Sequence, residues 1–269
     1  MKHAKLSPSA SHRWLVCPGS VEANANKPHT QNFHALEGTS AHALLEVCLI
    51  LGADPEDFFG KVLDKGLMPV DEDMIDGVGY ALDYIHSYVV NHPDTVVRVE
   101  HEVVFGPAIG ADPIDCTTCY GEGCDDCGHT GLLQLGFGTS DVILDNYPTE
   151  VVALDYKHGS GISVSVKDNS QLLLYVVGMR EERGRYRRYR KVVVQPRLRG
   201  RKPVQEAPAL TDTQVMSWVD KTVKPVIPIA LGKNAPRVAG SHCQYCHANG
   251  NCPAQYEKVM KAAQEEFKV

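Results

Sequence analysis

The chain contains no run approaching the about 20 apolar residues that a membrane-crossing helix needs, and its first residues, MKHAKLSPSASHRW, lack the apolar centre of a secretory signal. These absences predict a cytoplasmic protein with no membrane partner. Internal repeats and low-complexity tracts are missing too, which argues against a repeat array and against a mostly disordered chain. A net positive charge is also lacking: the formal sum is −6. What remains is ordinary for a globular protein, 43% hydrophobic and 22% charged over 269 residues. That length suits a single domain carrying one or two small inserted modules.

Cysteine is plentiful, with nine residues. A reducing compartment makes disulfides a poor explanation for them, and their spacing points to metal ligation instead, with Cys48 alone outside a ligand group. The charge is unevenly spread. Between Arg180 and Lys202 eleven basic residues stand beside two acids, about +9 locally against −15 for the rest.

The apolar pattern predicts a short helix through SASHRWLV ending at Cys17-Pro18-Gly19, and a loop over 22–35. A helix follows from Glu37, capped by Thr39 or Ser40, with His42 and Glu46 on one face. Another is expected from Asp71 to Val90. VVRVEHEVVF alternates like a strand. After an interruption at 106–134, two strands, LGFGTSDVILD and EVVALDYKHG, are separated by the turn Asn146-Tyr147-Pro148. A helix over Asn169 to Arg183, the strand RRYRKVVVQPRL, a helix capped by Thr211 and bent at Pro225 and Pro228, and a last helix from Pro253 complete the reading. The expected fold class is α/β.

Gly138-Thr139-Ser140-Asp141 and Asp155-Tyr156-Lys157 carry chemistry. Two carboxylates from adjacent strands can hold Mg²⁺, a hard cation that favours oxygen. Lys157, two residues from Asp155, points to the same face, where its ammonium can orient water or offset charge on a phosphate. The structural alternative is a strand-end carboxylate at Asp141 and a solvent-facing Asp155–Lys157 ion pair. Their position at the end of the apolar run VVAL, where the strand should meet the sheet edge, favours a site.

In these motifs, with His42 upstream and Gln171 and Tyr175 of QLLLY downstream, the chain resembles the RecB-type branch of the PD-(D/E)XK nuclease superfamily over most of its length. The resemblance implies a restriction-endonuclease-like core, a central mixed sheet flanked by helices. It implies that His42, Asp141, Asp155 and the Tyr156 carbonyl hold Mg²⁺ or Mn²⁺, and that Gln171 and Tyr175 position substrate or Lys157. The implied activity is a DNA exonuclease acting on single strands or duplex ends in recombination, repair or phage DNA processing. A recombinase, annealing protein or helicase is the implied partner. Phage and prophage proteins sharing the SPSxxHRWxxCPGS signature suggest a viral setting, and hence a host cytoplasm. An inactive DNA-binding or scaffold protein on the same fold is the alternative, and a redox-responsive regulator a third reading.

Cys243, Cys246 and Cys252 form C-x2-C-x5-C, and Cys17 is the candidate fourth ligand. Spacing alone leaves Zn²⁺ and an iron–sulfur cluster open. The pattern is similar to that of RecB-type nucleases, including AddB-type helicase–nuclease subunits and CRISPR-adaptation nucleases, which implies a [4Fe–4S] cluster in a module of residue 17 with 240–255. Such a cluster would close a very long loop and stabilise the fold.

Cys116, Cys119, Cys124 and Cys127 form two C-x2-C knuckles, similar in their first half to the zinc repeats of DnaJ-type chaperones. Their flanking glycines permit the sharp turns a tetrahedral Zn²⁺ site needs. The module at 106–134 is expected to contact substrate or a partner. Finally, Arg185, Arg187, Arg188, Arg190, Lys191, Arg197 and Arg199 offer phosphate contacts, with interleaved tyrosines as stacking platforms for DNA. The alternative is a solvated strand whose arginines meet the acidic remainder.

Overall fold

The structure, a computed structural model, describes residues 4–25 and 33–266. It begins with short helices α1 (Ser11–Trp14) and α2 (Ser20–Asn24), then long helices α3 (Phe33–Leu51) and α4 (Glu72–Asn91). Strands β1 (Val96–Val104), β2 (Ile114–Asp115), β3 (Leu132–Leu133), β4 (Phe137–Asn146) and β5 (Glu150–Tyr156) lead to helix α5 (Ser170–Arg183). Strands β6 (Arg188–Val194) and β7 (Val204–Glu206) and helices α6 (Asp212–Trp218), α7 (Ile227–Leu231) and α8 (Pro253–Glu266) follow. The chain divides into two compact units, one of His29–Val103 and Thr139–Val215, the other of Met1–Pro28, Val104–Gly138 and Met216–Val269.

The first unit is built on a five-stranded sheet in the order β1-β4-β5-β6-β7. Strands β4 and β5 form an antiparallel hairpin across the turn at 147–148, with Val142 opposite Leu154 and Asn146 opposite Glu150. Strand β6 lies parallel to β5, which requires a crossover, and α5 supplies it. The sheet is therefore mixed. β5 is its central strand and all seven of its residues are buried, so it reads as a nearly unbroken apolar run. On one face, Leu44, Leu45 and Cys48 of α3 and Met74, Val78, Ala81 and Ile85 of α4 pack with Val142, Leu144, Val152, Leu154, Val192 and Val194. Helix α5 packs against β5 and β6. At Gly77 helix α4 approaches β5 so closely that a Cβ would stand 2.5 Å from the Tyr156 hydroxyl.

Local chemistry sets the helix ends. Asp71 caps α4 by accepting the Met74 N–H at 2.8 Å, with Glu72 and Asp73 in the first turn. Asn169 does the same for α5 through the Leu172 N–H at 3.1 Å. The cap expected at Thr39 or Ser40 is not one, because α3 is already helical from Phe33. Thr39 donates to the Ala35 carbonyl within the helix, while the buried Ser40 Oγ accepts the N–H groups of Leu67 and Met68, pinning the following loop to the helix that carries His42.

In the second unit, Leu6 N–H bonds the Leu135 carbonyl at 3.0 Å and the buried Trp14 indole donates to the Ser7 carbonyl at 2.9 Å. The helix expected through SASHRWLV is split into a 3-10 turn at Pro8–Ala10 and α1. The loop expected over 22–35 is in part helix: α2 reaches Asn24 and α3 begins at Phe33, and residues 26–32 lie outside those described. The helix expected after Thr211 breaks into α6, a π-helical turn at Val219–Val223 and α7, with Pro225 between and Pro228 in the first turn of α7. No described helix is long and apolar enough to cross a membrane.

Candidate active site

The hairpin register, carried one step beyond Val142 and Leu154, sets Asp141 opposite Asp155 at the end of the β4–β5 pair. Asp155 therefore lies at the C-terminal end of the central strand, not at the sheet edge that the sequence suggests. It is only 2% exposed. Its Oδ1 accepts two bonds, from Lys157 Nζ at 2.7 Å and from Gln171 Nε2 of α5 at 3.0 Å. Its Oδ2 is buried and has no hydrogen-bond partner among the described residues. A buried carboxylate oxygen left without a donor is costly, and a cation is a suitable partner for it.

Asp141 uses both oxygens. Oδ2 accepts the Tyr156 N–H at 2.7 Å, and Oδ1 lies 3.4 Å from His42 Nδ1. The His42 ring meets the Tyr156 ring edge-on, with centroids 5.5 Å apart. Tyr156 is itself held by His158, whose Nδ1 is 3.0 Å from the phenol oxygen. Tyr175 donates to the Thr139 carbonyl, two residues before Asp141, so it braces the strand and not Lys157.

The electrostatics separate the two aspartates. Burial raises the Asp155 carboxyl above the usual range, and the charge of Asp141 adds to this, outweighing Lys157. Burial pushes Asp141 up as well, but His42, Lys157 and the Tyr156 N–H prevail and hold it below the usual value. Burial works against charge on His42 and Lys157, yet the aspartates raise both. The residues of D-x-K, G-x-x-D, His42 and Gln171 thus meet in one place, with donors of the hard oxygen and imidazole type that suit a divalent cation.

Glu100 of β1 belongs to the same place and was missed by sequence reasoning. Its carboxylate, His42 and Asp141 bring ligand atoms within 4.8 Å of one another. The only available signal was an acidic pair, Glu100 and Glu102, interrupting an apolar strand, and such pairs are common on solvated faces.

The knuckle at 116–127 is a second metal-ready group. Its sulfurs are spaced at 3.8 Å (Cys116–Cys124), 3.7 Å (Cys119–Cys127) and 3.9 Å (Cys124–Cys127). Four sulfurs about 2.3 Å from one tetrahedral Zn²⁺ stand about 3.8 Å apart, so the quartet fits a single ion. Strands β2 and β3 close its base, and Gly131 adopts φ +73° where a Cβ would lie 2.3 Å from the Gly121 carbonyl oxygen. The N–H groups of Cys124 and Gly131 point at Cys127 Sγ. Burial alone would raise that thiol, but these bonds and neighbouring thiols bring it down to about 6. Across 106–134 there are five acids and no lysine or arginine, so of the roles expected for this module a direct grip on DNA is electrostatically the poorest.

Cys17, Cys243, Cys246 and Cys252 line one cavity with Arg13, His242 and neighbours. They are not among the described groups whose ligand atoms all fall within 4.8 Å, so their spacing does not suit one tetrahedral ion. N–H donors reach the sulfurs from Val238 to Cys17 at 3.2 Å, from Asn24 to Cys246 at 3.3 Å and from Gly240 to Cys243 at 3.4 Å. A wider thiolate set with N–H groups aimed at sulfur suits a polynuclear cluster.

The basic stretch differs from expectation. Tyr186 and Tyr189 are 2% and 0% exposed, and their hydroxyls donate to Asp145 and Asp212, so they are not stacking platforms. Glu150, 1% exposed at the start of β5, draws in Arg188 and Arg190 from the parallel neighbour β6 together with the Tyr88 hydroxyl. Arg197 pairs with Glu37 and Asp73, Arg185 with Asp212, and Lys191 is buried. The physical reason is that buried carboxylates need partners, and the arginines supply them. Of the seven expected DNA contacts, Arg187 and Arg199 are exposed and in no ion pair among the described residues.

A family model described as "Protein of unknown function (DUF2800)" matches residues 3–114 and 130–269, leaving out the whole cysteine knuckle at 116–127. A crystal structure of a provisionally named exonuclease from Eubacterium rectale is similar at 12% identity, with 91% of this chain and 87% of that chain covered and a TM-score of 0.43. A likeness at that level decides nothing about activity.

Proposed function

The chain belongs to the DUF2800 family, and from that premise and the geometry of its carboxylate site we propose that it is a divalent-metal-dependent deoxyribonuclease on a PD-(D/E)XK-type core. The observation that carries the reading is Asp155. One of its oxygens is fixed by Lys157 and Gln171, the other is buried and unpartnered, and Asp141 stands opposite with His42.

Asp141, Asp155 and the Tyr156 carbonyl are the groups that would hold Mg²⁺ or Mn²⁺, with His42 beside Asp141. Such an ion supplies Lewis acidity at a phosphodiester oxygen. The chain's own part is positioning and charge. Gln171 and Lys157 fix the rotamer of Asp155, the Tyr156 N–H fixes that of Asp141, and Tyr175 braces the strand before it. Lys157, kept cationic by both aspartates, can offset the charge that grows on a phosphate under attack. The substrate is single-stranded DNA or DNA ends, cleaved from the end in preference to internally.

The wide cysteine set of Cys17, Cys243, Cys246 and Cys252 is proposed to hold a [4Fe–4S] cluster in a structural role, and Cys116, Cys119, Cys124 and Cys127 to hold Zn²⁺. Anaerobic purification with a visible absorption spectrum and metal analysis reads both. A colourless, iron-free protein with two zinc ions overturns the cluster assignment.

Digestion of end-labelled single- and double-stranded DNA with each metal tests the main reading. Cleavage is expected with Mg²⁺ or Mn²⁺ and absent in chelator, and Asp141→Ala should abolish it while leaving DNA binding largely intact. Undiminished digestion by Asp141→Ala would sink the assignment.

A further inference from the structure

The ligands that the sequence motifs nominate for one ion do not form one set. His42 and Asp141 gather with Glu100, all three ligand atoms lying within 4.8 Å of one another, and Asp155 is outside that group. Asp155 nevertheless keeps a buried Oδ2 with no partner among the described residues, in a side chain 2% exposed. Two separate demands for a cation therefore exist around Asp141. One is the unpartnered oxygen of Asp155, set opposite Asp141 by the strand register. The other is the pair of carboxylates Glu100 and Asp141 converging on an imidazole.

Among the described residues, no lysine or arginine pairs with Asp155 Oδ2 or with Glu100. Lys157 is bonded to Asp155 Oδ1, and Lys65 is bonded to Glu46. Glu100 also departs from ordinary strand geometry: its φ is +46°, the left-handed region that non-glycine residues rarely occupy. Such backbone conformations persist where surrounding structure imposes them, and they gather at ligand sites.

We propose that the site takes two divalent cations that share Asp141, one between Asp141 and Asp155 and the other held by His42, Glu100 and Asp141, with Glu100 an additional metal ligand. Two-cation sites of this kind place the ions about 3.5–4 Å apart and are common in enzymes that cleave phosphodiesters. A shared carboxylate with two usable oxygens is what such a pair needs, and Asp141 has one oxygen toward the Tyr156 N–H and the other toward His42. The proposal rests on the metal-dependent reading of this site but concerns binding alone, so it can be tested without cleavage.

The experiment is a Mn²⁺ titration of the full-length protein, with its cysteine sites loaded and no DNA present, followed by electron paramagnetic resonance. Hard Mn²⁺ competes poorly for thiolates, so the cysteine sites stay silent. The native chain should bind two Mn²⁺ and show the signal of a spin-coupled pair. Glu100→Gln, isosteric at an exposed position, should bind one and lose the coupled signal. Glu100→Asp, which keeps the charge with a shorter reach, should retain a weakened second site. Two tightly bound ions in Glu100→Gln, or a single ion in the native chain, overturn the proposal. No Mn²⁺ binding at all overturns it together with the metal-dependent reading. Two bound ions without DNA cleavage leave this inference standing and remove the proposed activity.

Discussion

The cysteine knuckle and the carboxylate site are both gatherings of metal-ligand groups, yet they are assembled in opposite ways. The knuckle draws its four sulfurs from twelve consecutive residues, 116–127, closed by a two-residue strand pair and glycines in left-handed conformations. Its geometry is local. The carboxylate site draws His42 from α3, Glu100 from β1, Asp141 from β4, Asp155 and Lys157 from the end of β5 and beyond, and Gln171 from α5. It exists only because three strands and two helices bring distant segments together. A local site can be carried as an insertion, and the family match accordingly skips residues 115–129. A distributed site is bound to the fold that makes it.

This contrast can be broken experimentally. The largest effect expected is at Lys157: Lys157→Ala should lower cleavage by about 10²–10³-fold, the usual loss for one preorganised charge at a reacting centre. Cys119→Ser should leave cleavage of short substrates unchanged while zinc content falls by one equivalent. Equal damage to cleavage by the two changes would show that the regions are not independent. Next is Gln171→Ala, which frees Asp155 from one of its two donors and should weaken Mn²⁺ binding by about 10–100-fold, as loss of a ligand-orienting partner does. Calorimetry with Mn²⁺ reads it.

A smaller effect is expected from Tyr186→Phe, which removes a hydroxyl donor from the buried Asp145. It should cost about 1–3 kcal/mol of stability in urea denaturation without altering metal binding at either region. The knuckle has a pH signature of its own. The Cys127 thiol is depressed to about 6, so its thiolate is present at neutral pH and is lost as pH falls through that value. Zinc affinity, read by competition with a chromogenic chelator, should therefore weaken progressively as pH falls below that value. The smallest effect is at the exposed arginines: Arg187→Ala or Arg199→Ala should reduce the salt dependence of DNA binding by about one phosphate contact each. Arg190→Ala should instead lower stability, because it leaves the buried Glu150 short of a partner.

Much of the fold was legible because its signals are local. The starts of α4 near Asp71 and of α5 near Asn169, the periodicity of α4, and the apolar run of β5 between β4 and β6 are each written within a few residues. The cap expected at Thr39 or Ser40 failed because a capping residue and a mid-helix hydroxyl look alike in sequence, and only the loop at 67–68 shows what Ser40 is for. The basic stretch failed in a related way. Arg188 and Arg190 read as free cations until the parallel register sets them beside Glu150, and Tyr186 and Tyr189 read as exposed until their hydroxyls are found on buried aspartates.

The sequence by itself determined the α/β pattern, the candidacy of Asp141, Asp155 and Lys157, and the four-sulfur knuckle, because spacing within an element sets which side chains share a face or a turn, while His42 and Gln171 became candidates through the family resemblance. Tertiary structure alone decided that Asp141 and Asp155 stand opposite each other, that Asp155 keeps an unpartnered oxygen, that Glu100 joins His42, and which arginines are spent on carboxylates. The physical reason is that burial and long-range register, not residue type, decide which polar groups lose water and must find a partner.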